Sequence, residues 1–299
     1  MKKAVISGAT GSIGRALIDK LLAEKVEVTV LYHKNSNRIN KIPKNPYIKK
    51  LCCSLDDFKS FEPIEDDFDV FYHLAWAGTT GTARNDTQLQ LKNIEYTLDA
   101  VELAAKMGCK KFVGAGSQAE YGLSNKPLTP SSPTHPFTGY GIAKLAAGQL
   151  SRLKCRQLDL AHAWIRVFSV YGKFDPPSSV IRSAISKFTK NEAADFSMGE
   201  QMWDFLNSHD AAEAFYLVGN DTENNESLYC LGSGQSAPLR DYIEKIYKLC
   251  GSSSLVNFGA IPYSENQVMF LQADISSLTE DTGFVPKTDF EQGIKELLN

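Results

Sequence analysis

Tyr140 and Lys144 stand four residues apart in the run Tyr140-Gly141-Ile142-Ala143-Lys144. Four residues make nearly one helical turn, so a phenol and an ammonium share a helix face. A nearby cation favours phenolate over phenol and draws the pKa down from about 10. A tyrosine so held can exchange protons near neutral pH. The same spacing occurs on ordinary surface helices, so the weight of the pair rests on the elements around it.

The first of those elements is at the N-terminus. Lys3 to Ser7 reads as a short buried strand that runs into Gly8-Ala9-Thr10-Gly11-Ser12-Ile13-Gly14, and Ile13, Leu17 and Leu21 then recur every four residues as an amphipathic helix. A strand, a glycine-rich turn and a helix start suit a dinucleotide pyrophosphate: the glycines let the backbone approach, and the helix start offers free N–H groups and a positive dipole end.

Strand and helix signals continue to alternate. Val26 to Tyr32, Asp69 to Leu74 and Lys111 to Ala115 read as strands, and Leu91 to Met107 as a helix. This alternation predicts an α/β fold, a Rossmann-type doubly wound parallel sheet with ligands at the carboxyl ends of its strands. Two strands end where chemistry is expected: Val70-Phe71-Tyr72-His73-Leu74 leads into Ala75-Trp76-Ala77-Gly78, and Phe112-Val113-Gly114-Ala115-Gly116 leads into Ser117. His73 reads as a buried, satisfied histidine and Asn93 as a brace for the active-site loop. From about Ser169 the chain is richer in Pro, Ser and Asn and alternates less regularly, which predicts a smaller C-terminal substrate-binding lobe. The expected division is 1–168 plus about 206–232 for the nucleotide-binding part, and 169–205 with 233–299 for the lobe.

The chain has 299 residues, 43% of them hydrophobic, and a net charge of −3 with the signs interspersed. That suits one large α/β core plus a lobe, and it gives no electrostatic footprint for nucleic acid and no basic tract for a membrane. No apolar run reaches the ~18 residues of a spanning helix, and the first strand begins almost at once, so the expectation is a cytoplasmic protein without a signal peptide. The six cysteines show no Cys-x-x-Cys spacing and the five histidines are scattered; reduced thiols and no metal site are expected.

The ordered set GATGSIG, HLAWAG, GSQAEYG, YGIAK and RVFSVYG resembles the extended short-chain dehydrogenase/reductases, in the nucleotide-sugar epimerase/dehydratase branch. The likeness extends to Trp203-Asp204-Phe205 followed by His209-Asp210, and to Asp274-Ile275-Ser276-Ser277-Leu278 with Gly283-Phe284-Val285-Pro286. The resemblance implies three catalytic roles: Ser117 bonds the substrate oxygen, Tyr140 gives or takes its proton, and Lys144 binds nicotinamide ribose hydroxyls while lowering the phenol's pKa. It implies a cofactor site built from Gly8, Thr10, Gly11, Ser12, Ile13 and Gly14, from Leu74, Ala75 and Trp76, and from Ser54 and Leu55 near adenine, where an Asp is more usual than Ser54.

An NAD-preferring member would carry an acidic residue at the end of the second strand. Tyr32 stands there, followed by His33, Lys34 and Arg38, so no carboxylate repels a 2′-phosphate and cations are at hand to pair with one. NADP(H) is therefore favoured, with NAD(H) the alternative. Substrate contacts are expected from Thr79, Gln118, Ser169, Arg182 and Trp203. Trp203 stands where many relatives place an Arg that pairs with the diphosphate; an indole cannot replace that charge, so either Arg182 or Arg240 supplies it or the substrate is not the usual uridine diphosphate sugar, and Trp203 itself either shapes recognition or packs the lobe.

Dehydratase members carry an acidic residue just after the Ser/Thr, where this chain has Gln118 and Ala119, neither of which can protonate a leaving hydroxyl. Glu120 is one step further along and, on a strand-like segment, would point away. Two readings remain: an NADPH-dependent reductase of a 4-keto nucleotide sugar, which the basic loop favours, and a 4-epimerase with a retained cofactor. A non-catalytic redox sensor would be expected to lose the Tyr or the Lys. Family habit implies a homodimer through two helices, one bearing Leu145, Ala146 and Leu150 and the other Leu91, Ile94 and Leu98, although both stripes could face the protein's own sheet.

Overall fold

The structure is a computed structural model and describes residues 1–63 and 67–299. In chain order the first half contains β1 (Lys3–Ser7), α1 (Ser12–Ala23), β2 (Glu27–Tyr32), β3 (Ile48–Cys52), β4 (Val70–His73), α2 (Thr87–Lys106), β5 (Lys111–Ser117), α3 (Gly139–Gln157) and β6 (Ala161–Val167). The second half contains β7 (Ser169–Tyr171), α4 (Val180–Thr189), β8 (Ala194–Phe196), β9 (Met202–Trp203), β10 (Phe205–Asn207), α5 (Ser208–Asn220), β11 (Glu226–Leu231), β12 (Ala237–Pro238), α6 (Leu239–Leu249), β13 (Val256–Phe258), α7 (Ser276–Thr282) and α8 (Phe290–Leu298).

Seven strands form one sheet in the order β11-β6-β5-β4-β1-β2-β3, with every neighbouring pair parallel. The expected Rossmann-type sheet is thus present. Burial on both faces explains its near-continuous apolar strands. On β1, Ala4 and Ile6 enter the cluster under α1 and α5, while Val5 between them enters the opposite cluster with Phe71, Phe112 and the α2 residues Val101 and Ala104. From β1 the chain builds outward to β2 and β3, then crosses back to place β4 on the other side of β1. That reversal opens a crevice at the carboxyl ends of β1 and β4, where ligands bind in open α/β sheets.

Caps fix where the helices begin. The Asp86 carboxylate accepts from Gln88 N and Leu89 N at the head of α2, at 3.2 and 3.1 Å, and Thr138 Oγ1 accepts from Gly141 N at the head of α3 at 3.1 Å, each satisfying donors that a helix start leaves open. Leu91 on α2 and Ile142, Leu150 and Leu153 on α3 are 51, 54, 43 and 50% exposed. Part of each helix's apolar stripe therefore faces outward, whereas Ile94, Leu98, Leu145 and Ala146 are half-buried.

The lobe is held by short strand pairs, β7 with β10, β8 with β13 and β9 with β12, around an aromatic cluster that includes Tyr171, Phe188, Phe205 and Tyr242, with Phe290 against it. Fully buried Asp204 joins its segments, accepting from Ser233 N, Ser233 Oγ, Gly234 N and Ala273 N at 2.6 to 3.3 Å. The C-terminal stretch is shared rather than lobe alone, because Leu278 and Phe284 pack into the sheet's cluster beside α1 and α5. Their apolar side chains complete the cover that those two helices leave open.

Candidate active site

The glycine turn lies at the crevice. Gly8 has φ +78°, and a Cβ there would fall 2.6 Å from the Leu74–Ala75 peptide; one on Gly14 would fall 2.4 Å from the Gly8 carbonyl oxygen. Close approach therefore locks the turn to the end of β4. Gly11 caps α1 without a side-chain hydrogen bond, and the first turn carries no acid, so its N–H groups and positive dipole end are free for a phosphate. Gly8→Ala must strain the backbone and push the β4 loop away. The expected result is a dinucleotide affinity at least about tenfold weaker, a cost near 1.4 kcal/mol, with the helical circular dichroism retained; titration of NADPH fluorescence measures it.

A cleft of about 670 Å³ runs from this turn along the ends of β2 and β3 on one side and β4 on the other. Gly8, Thr10, Gly11, Ser12, Tyr32, His33, Arg38, Ser54, Leu55, Leu74, Ala75, Trp76 and Thr79 all line it. Ile13 and Gly14 do not: Ile13 packs on the sheet's core and Gly14 against the backbone of the turn. Lys34 is exposed and outside the cleft wall, because it lies on the turn that Ser36 N closes onto His33 O at 2.8 Å. Sequence reasoning missed Asp56 and Tyr96 among the lining residues. Asp56 accepts a hydrogen bond from the Tyr96 hydroxyl, a pairing across 40 positions that no local signal announces.

Ser117, Tyr140 and Lys144 converge beside Trp76. The Ser117 side chain lies close enough to the Tyr140 phenol to favour its ionised form, and the Tyr140 ring meets the Trp76 indole edge to face at 6.0 Å. Lys144 takes up other partners beside the phenol. Its Nζ donates to Ala115 O at 2.6 Å and lies 3.7 Å from the Trp76 ring centroid, against 5.9 Å from that of Tyr140. Burial pushes its pKa down to about 7, with Glu120 opposing. The phenol is raised rather than lowered, because burial outweighs the Ser117 hydrogen bond and the charge of Arg84. The Ala115 carbonyl and the indole face hold the ammonium, contacts that helical spacing alone cannot register.

Glu120 does not follow strand alternation. It ends a 3-10 turn, Gln118–Glu120, and is fully buried. Its Oε1 accepts from Ser117 N at 2.8 Å and Trp164 Nε1 at 3.0 Å, and its Oε2 from Arg166 Nε at 2.6 Å. The carboxylate thus holds the serine's backbone from beneath. A separate cavity of about 190 Å³, bounded by α3, β6 and β11, reaches Glu120 and Arg166 from behind. Trp164 itself fits against Gly114, Gly116 and Gly148, where any Cβ would fall within 2.7 Å of the indole.

The remaining expected substrate residues are dispersed. Gln118 follows Ser117 on the 3-10 turn, and Thr79 is on the cleft wall. Ser169 pairs with Phe205, Arg182 is in the first turn of α4 facing Asp175, and Trp203 packs between the lobe's aromatic cluster and a second cluster that includes Tyr121, Phe168 and Leu271. None of these three lines the cleft. Arg240 is engaged with Met198 O at 3.1 Å and with the Phe258 ring. His73 is buried between Ser7 and Thr97, with its pKa pushed down to about 3 by burial and then by Lys144. Asn93 bridges Ala77, accepting from its N–H and donating to its carbonyl at 2.9 Å each, and so fixes the loop that carries Trp76.

A putative UDP-glucose 4-epimerase of Methanocaldococcus jannaschii is 26% identical, with 99% of this chain and 97% of the relative covered. A dTDP-4-dehydro-6-deoxyglucose reductase of Escherichia coli is 22% identical, with 98 and 96% covered. The crystal structure of UDP-glucose 4-epimerase from Thermotoga maritima with UDP-glucose superposes with a TM-score of 0.89 at 22% identity, over 99% of this chain and 98% of that one. The sequence profile of the NAD dependent epimerase/dehydratase family matches residues 4–232, and the chain belongs to that family.

Proposed function

We propose that this chain is an enzyme of nucleotide-sugar metabolism that reduces a 4-keto nucleotide sugar with NADPH. The observation that carries the reading is the convergence of Ser117, Tyr140 and Lys144 beside a glycine-turn cleft at the strand ends. The cleft suits a dinucleotide: the uncapped N–H groups at the start of α1 would hold the pyrophosphate, Tyr32, His33, Ser54 and Leu55 would flank the adenosine, and Leu74 to Trp76 would border the nicotinamide half. When bound, the nicotinamide supplies the hydride. Ser117 Oγ holds the sugar oxygen, Tyr140 Oη delivers the proton, and Lys144, freed from Ala115 O, binds ribose hydroxyls. The Trp76 indole walls the site from water.

NADPH is favoured because His33 and Arg38 line the cleft just after Tyr32, the position where an acidic residue would favour NADH. Arg38→Ala should raise the KM for NADPH about tenfold, the loss of one charge-assisted hydrogen bond, and leave that for NADH unchanged. Equal effects on both cofactors overturn the preference.

The test of the reaction is NADPH consumption with a panel of 4-keto nucleotide sugars. Net oxidation supports the reductase. Interconversion of 4-hydroxyl epimers without net consumption, with cofactor released only on denaturation, supports the 4-epimerase instead, a reading favoured by the UDP-glucose 4-epimerase likeness. Assembly is read as a homodimer through the exposed Leu91, Ile142, Leu150 and Leu153. No described helix is long and apolar enough to cross a membrane, and the cysteines are all free, which supports a cytoplasmic setting.

A further inference from the structure

Tyr140 is the group whose proton affinity matters, and the groups that act on it, three charged and one neutral, come from four places. Lys144 on its own helix is turned to Ala115 O and Trp76. Glu120 on the 3-10 turn after β5 opposes ionisation of the phenol and is matched by Arg166. Ser117 at the end of β5 supplies a neutral hydroxyl. Arg84, on the 3-10 turn Gly81–Asn85, places its guanidinium over the Tyr140 ring with Cζ 4.3 Å from the centroid.

Arg84 is held there from both ends. Its Nη1 donates to Thr79 O at 3.0 Å. The next residue, Asn85, accepts from Gly139 N through Oδ1 at 3.0 Å, and a Cβ on Gly139 would fall 3.1 Å from Arg84 O. Gln90 closes the same loop by donating to Gly78 O and Ala83 O at 3.0 and 2.9 Å. Among the described residues no carboxylate pairs with Arg84, so its charge faces the ring without a counter-ion. A guanidinium also stays protonated throughout the working range, unlike Lys144, whose burial leaves it close to its titration point at neutral pH.

We propose that Arg84 is the permanent cation that poises Tyr140 for proton exchange, and that in this chain the electrostatic duty expected of Lys144 is shared with a residue of the loop after β4. Arg84 acts through Tyr140, not on substrate, which makes it a positioning residue. The inference rests on the reading of Tyr140 as the proton carrier. It goes beyond that reading in naming an electrostatic element from another part of the chain.

The sign follows from the charge. Removing a cation raises the phenol's pKa, so phenolate is reached only at higher pH. In the direction of alcohol oxidation, where Tyr140 must accept a proton, the acid limb of the rate profile should move up by about half to one pH unit in Arg84→Gln. The rate at pH 7 should fall about three- to tenfold. Arg84→Lys should return the limb to the wild-type position. Tyrosinate absorbance, titrated as wild type minus Tyr140→Phe and as Arg84→Gln minus the double variant, should show the same displacement without turnover. Should Arg84→Gln be unstable, Arg84→Met keeps the stem on the ring and gives the same comparison. Unmoved limbs in the neutral variant, or equal losses in Arg84→Gln and Arg84→Lys, overturn the inference. An active Tyr140→Phe enzyme overturns the reading beneath it instead.

Discussion

Tyr140→Phe is expected to lower turnover by about 10²–10⁴ while the protein folds and binds dinucleotide as before. The substitution removes one oxygen. The ring keeps its edge-to-face contact with Trp76 and its place under Arg84, so packing around the site is retained. What disappears is the phenolic hydroxyl that faces Ser117, and with it the proton carrier that the proposed reaction uses. His73, the nearest alternative in chemical type, is sealed between Ser7 and Thr97 with its pKa near 3; it cannot substitute. Steady-state kinetics with a fluorescence titration of NADPH separates the two quantities. Turnover within threefold of wild type would remove Tyr140 from the chemistry.

Glu120→Ala should have the largest effect on stability, about 3–5 kcal/mol. The Glu120 and Arg166 side chains are 1 and 6% exposed, so truncation leaves a guanidinium buried without its counter-ion. It also strips acceptors from Ser117 N and Trp164 Nε1, and unpaired buried donors carry their own desolvation penalty. Glu120→Gln keeps an acceptor at the same place and should lose less. Urea unfolding reads both as shifts in midpoint at constant slope. A change below about 1 kcal/mol in the alanine variant would mean that water entering by the rear cavity already solvates the pair.

Most of the scaffold was legible because it obeys local rules. The glycine turn, the apolar runs ending at His73 and Ser117, and the four-residue recurrence of Ile13, Leu17 and Leu21 are each set by φ sterics, pleat or helical period within a few residues. The roles of His73 and Asn93 followed from the same logic. The electrostatics of the site did not. Lys144 shares a face with Tyr140, yet its ammonium is claimed by Ala115, 29 positions upstream, and by Trp76. Glu120 was assigned by strand alternation, whereas the backbone turns at Gln118 and brings it to Arg166, 46 positions away. Arg84 carried no motif at all. Lys34 looked equivalent to Arg38, but only the loop's path decides which cation borders the cleft. Long-range partners decide charge, and spacing along a chain does not report them.

The Trp164 indole has a further consequence. It rests against three positions on β5 and α3, Gly114, Gly116 and Gly148, none of which leaves room for a methyl group. A smaller side chain at 164 would first have to open a void, and a larger one at any of the three would first have to expel the ring. Either order passes through a badly packed intermediate. Variation behind the serine is thereby restricted to concerted changes, and single-site libraries should find these four positions nearly immutable while neighbouring loop residues drift freely.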